Sequence, residues 1–175
     1  MSPEIDALYM PTGLKPPEIK ATLVIIDDDW DILELTSLIF SKRGFRVFSA
    51  ESAHDGLKLI AAHSPQLVLL DYMMPEMDGL SALRQIKSEF PESYVVMLTG
   101  KGNEEIAVEL MKSGASEYVL KPFNNRNLVE RLENVLRIRE IELRNHDLQK
   151  EHDRLQAEVK HWNKNLQKRV REKTE

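Results

Sequence analysis

The chain has 175 residues, 42% of them hydrophobic, and a formal charge of -5, enough for one domain of ordinary size with an appendage. It has no cysteine, which excludes a disulfide framework and thiolate metal sites and fits a reducing, cytoplasmic setting. No stretch approaches the roughly 18 apolar residues of a membrane span, and Glu4, Asp6 and Glu18 break any signal-peptide pattern at the start.

Four of the eight prolines fall in the first 17 residues, so residues 1–20 read as an irregular leader. From Ala21 onward short apolar runs alternate with segments of helical period. Leu23 to Ile26 precedes Ile32 to Phe40, and Phe45 to Phe48 precedes Ala53 to Ala62. Leu67 to Leu70 precedes Leu80 to Ile86, Tyr94 to Leu98 precedes Ile106 to Met111, and Tyr118 to Leu120 precedes a helix from Leu128. Gly44, Ser64-Pro65, Pro91 and Gly114 stand where the first four helices must stop. Three of the runs are apolar throughout, as strands covered on both faces require. The pattern predicts an α/β fold over residues 21–137: a doubly wound, five-stranded parallel sheet, whose ligands bind at the carboxyl ends of the strands.

No proline or glycine interrupts the segment from Leu128 to Arg171, which as a helix would run about 65 Å at 1.5 Å per residue. Over 138–175 it reads as a coiled-coil linker. Ile138, Asn145, His152, Val159 and Leu166 take the a positions, with Ile141, Leu148, Leu155 and Trp162 at d. Asn145 in the seam favours two strands in fixed register, so a parallel homodimer is expected. His152 weakens the seam, either as a pH-sensitive layer or as a residue that tolerates partial exposure. Residues 1–136 hold 13 basic against 21 acidic side chains, and 137–175 hold 11 against 8. An acidic body with a tail of dispersed charges predicts no direct nucleic-acid contact.

The first strand ends in Asp27-Asp28-Asp29, the third in Asp71, the fourth in Thr99, and Lys121-Pro122 follows the fifth. Side by side, these groups converge on one sheet edge. Clustered carboxylates repel, and a divalent cation relieves them; an all-oxygen ligand set favours magnesium or manganese. A carboxylate beside such a cation can attack a phosphoryl group, while a hydroxyl and an ammonium hold its other oxygens. Taken singly, Asp29 reads as a helix cap, Lys121 as a surface lysine and Thr99 as a strand-end hydroxyl. Their joint occurrence carries the reading of a phosphoryl-transfer site.

The segments Val24 to Asp29, Leu69 to Gly79, Met97 to Gly100 and Tyr118 to Phe123 resemble the receiver domains of bacterial two-component response regulators, over about residues 22–140. That resemblance implies a flavodoxin-like fold and a function. Asp71 becomes the phosphoacceptor, served by a sensor histidine kinase or phosphotransfer protein. Asp27 and Asp28 become the acidic pocket, with Asp28 a direct Mg2+ ligand and the carbonyl of Met73 another. Thr99 and Lys121 become phosphoryl-binding groups, the Lys121-Pro122 peptide is cis, and Tyr118 is the switch aromatic that follows Thr99; a Tyr packed at the sheet edge is its bland alternative. Such a module catalyses only its own phosphorylation. Trp162 to Thr174 is similar to signalling-helix linkers that join receivers to enzymatic outputs, cyclic-di-GMP turnover or kinase, so an output domain is expected beyond it. Gly100 departs from the Ala or Ser common after the Thr, which predicts a mobile loop through Lys101, Gly102 and Asn103 and leaves the phosphoryl lifetime open.

Two rivals stand beside this reading. A haloacid-dehalogenase type phosphatase would make Asp27 the nucleophile and Asp29 the acid/base, but it needs Thr or Val where Asp31 stands. A degenerate receiver serving only as a scaffold has no use for the intact acids, Thr99 and Lys121.

Overall fold

A computed structural model describes residues 18–100 and 102–174. Residues 1–17 of the leader read over 1–20, the loop residue Lys101 and Glu175 lie outside the described residues. Among the described residues ten elements alternate: β1 (Ala21–Ile26), α1 (Trp30–Ser41), β2 (Phe45–Ala50), α2 (Ala53–His63), β3 (Leu67–Asp71), α3 (Gly79–Glu89), β4 (Tyr94–Thr99), α4 (Glu104–Lys112), β5 (Glu117–Leu120) and α5 (Asn125–Thr174). All five strands are parallel, in the order β2-β1-β3-β4-β5. The three apolar runs Leu23–Ile26, Leu67–Leu70 and Val95–Leu98 form the inner strands and are buried throughout. Each such side chain contributes about 1.5–3 kcal/mol by leaving water. Phe40 of α1 and Phe45 of β2 meet edge to face, 5.4 Å between ring centres.

Every helix after a strand begins on a side-chain cap. Asp29, Ser52, Asp78 and Asn103 each accept from backbone amides two or three residues on. Asn124 does the same for α5, accepting from the amides of Arg126 and Asn127. Capping starts α1 at Trp30 and α5 at Asn125, earlier than apolar spacing alone indicates. Gly44 and Gly114 take the left-handed conformation (φ 87° and 100°) that ends α1 and α4. Ser64 does so after α2 at φ 45°.

The structure divides after Leu132 into two compact units. The first holds the sheet, and α5 contributes the buried Leu128, Val129 and Leu132 to it. In the second, α5 continues as unbroken helix to Thr174. Residues 144–174 are exposed throughout, the apolar ones included: Leu148 and Trp162 are 61% and 67% accessible. Among the described residues no helix is long and apolar enough to cross a membrane.

Order at β1 and β3 reverses, opening a crevice between their carboxyl ends. Gly79 places α3 against that crevice. A Cβ there would lie 2.2 Å from the Asp71 carbonyl oxygen and 2.6 Å from the Tyr72 Cα, and the Gly79 amide donates to the Tyr72 carbonyl at 2.9 Å. At Gly100 an added Cβ meets nothing within 4 Å. Gly79→Ala should lower unfolding free energy in urea by about 1–3 kcal/mol, the range for overpacking, with Gly100→Ala within about 0.5 kcal/mol of the parent.

Candidate phosphoryl-transfer site

The strand ends bring Asp27, Asp28, Asp71, Thr99 and Lys121 to one edge of the sheet. Asp27 is fully buried and accepts the Asp29 amide at 2.9 Å, so the turn out of β1 holds its carboxylate in place. Asp29 caps α1, and its side chain is thereby engaged. Asp71 ends β3 and is 3% exposed; Thr99 ends β4 and is buried; Asp28 is exposed. Carboxylate oxygens of Asp27, Asp28 and Asp71 lie within 4.8 Å of one another. The Lys121 ammonium reaches across from the end of β5, 2.7 Å from Asp27 Oδ2 and 3.0 Å from Asp71 Oδ1. The Lys121-Pro122 peptide is cis.

Three carboxylates cluster here and the one ammonium of Lys121 pairs with two of them, an imbalance that shows in the pKa of Asp71. Burial pushes the Asp71 carboxyl up; Lys121 pulls it down, but Asp27 and Asp28 push it up again, and the net direction is upward. Burial draws Lys121 down, yet its bonds to Asp27 and Asp71 outweigh that, so its ammonium is held above the ordinary lysine range. Lys121 is satisfied twice over, while Asp71 receives only part of one cation. The remaining negative charge, on oxygen donors alone, suits a hard divalent cation; Asp27, Asp28 and Asp71 fit that role by spacing and type.

Met73 follows β3 in the loop that leads to α3, its side chain exposed. Tyr118 is half-buried on β5, packed beside the core. It lines an open cleft of about 590 Å3 with Gly102, Val108, Met111 and Leu120 among its walls. The seam residues of α5 lie elsewhere, in the second unit. Sequence reasoning missed Gly79, although Asp78-Gly79 is a visible stop before a helix. It also missed Glu117, whose partner Arg131 lies on α5 with no local signal to link the two.

A profile of the response regulator receiver domain family matches residues 23–133. The chain is 34% identical over 118 residues to the phosphate regulon transcriptional regulatory protein PhoB of Pseudomonas aeruginosa, covering 66% of this chain and 52% of PhoB. It is 36% identical over 102 residues to the regulatory protein AtoC of Escherichia coli, covering 58% of this chain and 22% of AtoC. The matched segment thus spans about half of one curated relative and a fifth of the other. Among solved structures, a CheY-like receiver domain protein from Methanospirillum hungatei superposes with TM-score 0.66 at 33% identity, over 69% of this chain and 97% of that one. NtrX from Brucella abortus gives TM-score 0.70 at 35% identity, over 73% and 29%. With the strand order, the acidic crevice and the family match in agreement, the chain belongs to the response regulator receiver domains of two-component systems.

Proposed function

We propose that Asp71 is the phosphoacceptor of this receiver, taking its phosphoryl group from a sensor histidine kinase or phosphotransfer protein and passing the change to α5. The observation that carries this reading is the convergence of Asp27, Asp28 and Asp71 with Lys121 at the β1/β3 crevice. A carboxylate oxygen of Asp71 attacks phosphorus as the P–N bond of the phosphohistidine breaks, and the imidazole leaves with the electron pair. Lys121 is placed to hold one phosphoryl oxygen and the Thr99 hydroxyl another. Asp27, Asp28, Asp71 and the Met73 carbonyl would hold Mg2+, or Mn2+ in its place, which when bound offsets charge on the transferred oxygens. Tyr118, on the strand paired with β4 and opposite Met97, two residues before Thr99, is read as the switch aromatic of a two-state β5–α4 face.

The finer part of the proposal is a parallel homodimer through residues 138–166, controlling an output domain. Exposed apolar side chains at heptad spacing support it, since single exposed residues are ordinary but a continuous stripe is not. Parallel register also sets Arg137, at a g position, against Glu142 at e of the other strand.

Three outcomes test the proposal. Intact mass after incubation with Mg2+ and acetyl phosphate should rise by about 80 Da, one phosphoryl group, and Asp71→Asn should abolish the gain. No adduct would favour a scaffold, and a label kept in Asp71→Asn but lost in Asp27→Asn would favour the phosphatase chemistry. Because the folded Asp71 carboxyl is raised, the native state holds its proton longer than the unfolded chain. Stability therefore falls as pH rises from the ordinary carboxylate range through the folded value. Asp71→Asn should accordingly melt a few degrees higher than the parent at neutral pH in EDTA, and the gap should close near pH 4 or below, about the unperturbed Asp value. Sedimentation should give a dimer at tens of micromolar, roughly the working range for an interface of this length, and Leu148→Lys with Leu155→Lys should give a monomer.

A further inference from the structure

Among the described residues β5 is the outer strand of the sheet, so amides on its far side have no strand there to donate to. The Tyr118 amide instead donates to the Glu117 carboxylate, Oε1 accepting at 3.0 Å. That same oxygen lies 3.2 Å from Arg131 Nη1 on α5. The guanidinium is fixed at its other end as well, its Nε donating to Asn127 Oδ1 at 2.9 Å. One carboxylate oxygen therefore joins the backbone of the residue read as the switch to the second turn of α5.

We infer that Glu117 is a positioning residue that couples the state of Tyr118 to α5 through Arg131. The inference rests on the proposed phosphorylation of Asp71 and names how its consequence reaches the helix. A displacement of the 117–118 peptide moves an acceptor on which the guanidinium is oriented, and an ion pair weakens steeply with distance and angle. Arg131 is held by Asn127 within its own helix, so a pull on the guanidinium is a pull on α5. From Asn125 to Thr174 that helix is uninterrupted. Glu117 and Arg131 are both partly exposed, 33% and 41% by side chain, so the coupling is screened by salt.

The test is hydrogen exchange of α5 amides in the full chain, with and without Mg2+ and acetyl phosphate, phosphorylation being verified by intact mass. In the parent, exchange over residues 126–136 should change on the order of fivefold upon phosphorylation, the lower end of typical site-to-site coupling. Glu117→Gln keeps an oxygen for the Tyr118 amide but removes the charge, and Arg131→Gln keeps helix propensity. Both should take the phosphoryl group as the parent does yet lose the exchange response, and Arg131→Lys should recover part of it. Low salt should enlarge the parent response, and about 1 M salt, with a Debye length near 3 Å, should shrink it. Retention of the full response in Glu117→Gln and Arg131→Gln would overturn the inference while leaving phosphorylation intact, as would a phosphorylated parent whose α5 exchange does not change. Absence of the mass gain would remove the underlying reading itself.

Discussion

One ammonium group, on Lys121, stands between carboxylates that would otherwise drive the ends of β1 and β3 apart. Two unit charges 4.8 Å apart repel by about 3.5 kcal/mol at an effective dielectric constant of about 20, and three acids meet here within that distance. Lys121 touches two of them at 2.7 and 3.0 Å. It arrives from the opposite side of the sheet order, so the crossover that brings β5 next to β4 is also what delivers the neutralising charge. Neutralisation is incomplete. The leftover negative charge destabilises the fold locally and at the same time makes the crevice receptive to a cation, a tension common where sites are built for chemistry over stability.

Much of this was legible beforehand because the inner strands are apolar on both faces. Runs such as Leu67–Leu70 leave no doubt about where a strand ends, and a charged residue at that point, Asp71, marks the sheet edge directly. Breakers such as Gly44 and Gly114 fix the helix stops through backbone conformation, which depends on one residue and its neighbours. The pairings were not legible in the same way. Lys121 and Asp27 are 94 residues apart, and nothing in either local sequence names the other. Lys121 read singly as a surface lysine is instead 21% exposed by side chain and doubly paired. Glu117 and Arg131, on different elements, likewise carry no local signal of their pairing. The packing role of Gly79 needs a coordinate: the clash that forbids a side chain there comes from the backbone of β3.

Apolar periodicity runs smoothly through α5, and buried side chains continue along it to Leu136, while the compact units part after Leu132. A continuous helix gives no breaker to mark where burial stops. From residue 144 to residue 174 the helix is exposed throughout and is supported along its own surface. Glu151 pairs with Arg154 at 2.6 Å and Lys168 with Glu172 at 3.9 Å, solvent-exposed pairs one turn apart that contribute little each. Such pairs keep a helix soluble and wound, but they leave its apolar stripe uncovered.

The unbroken winding of α5 also limits how this chain can change over time. Each residue added to a helix turns everything after it by about 100° and advances it by about 1.5 Å. A single insertion within α5 would rotate the apolar stripe beyond it by about 100°, whereas seven residues restore the phase almost completely. Length variation in this segment is therefore expected to be tolerated in steps of whole heptads. Substitutions at outward-facing positions can drift freely, so that relatives with little identity along the helix could still share its periodicity.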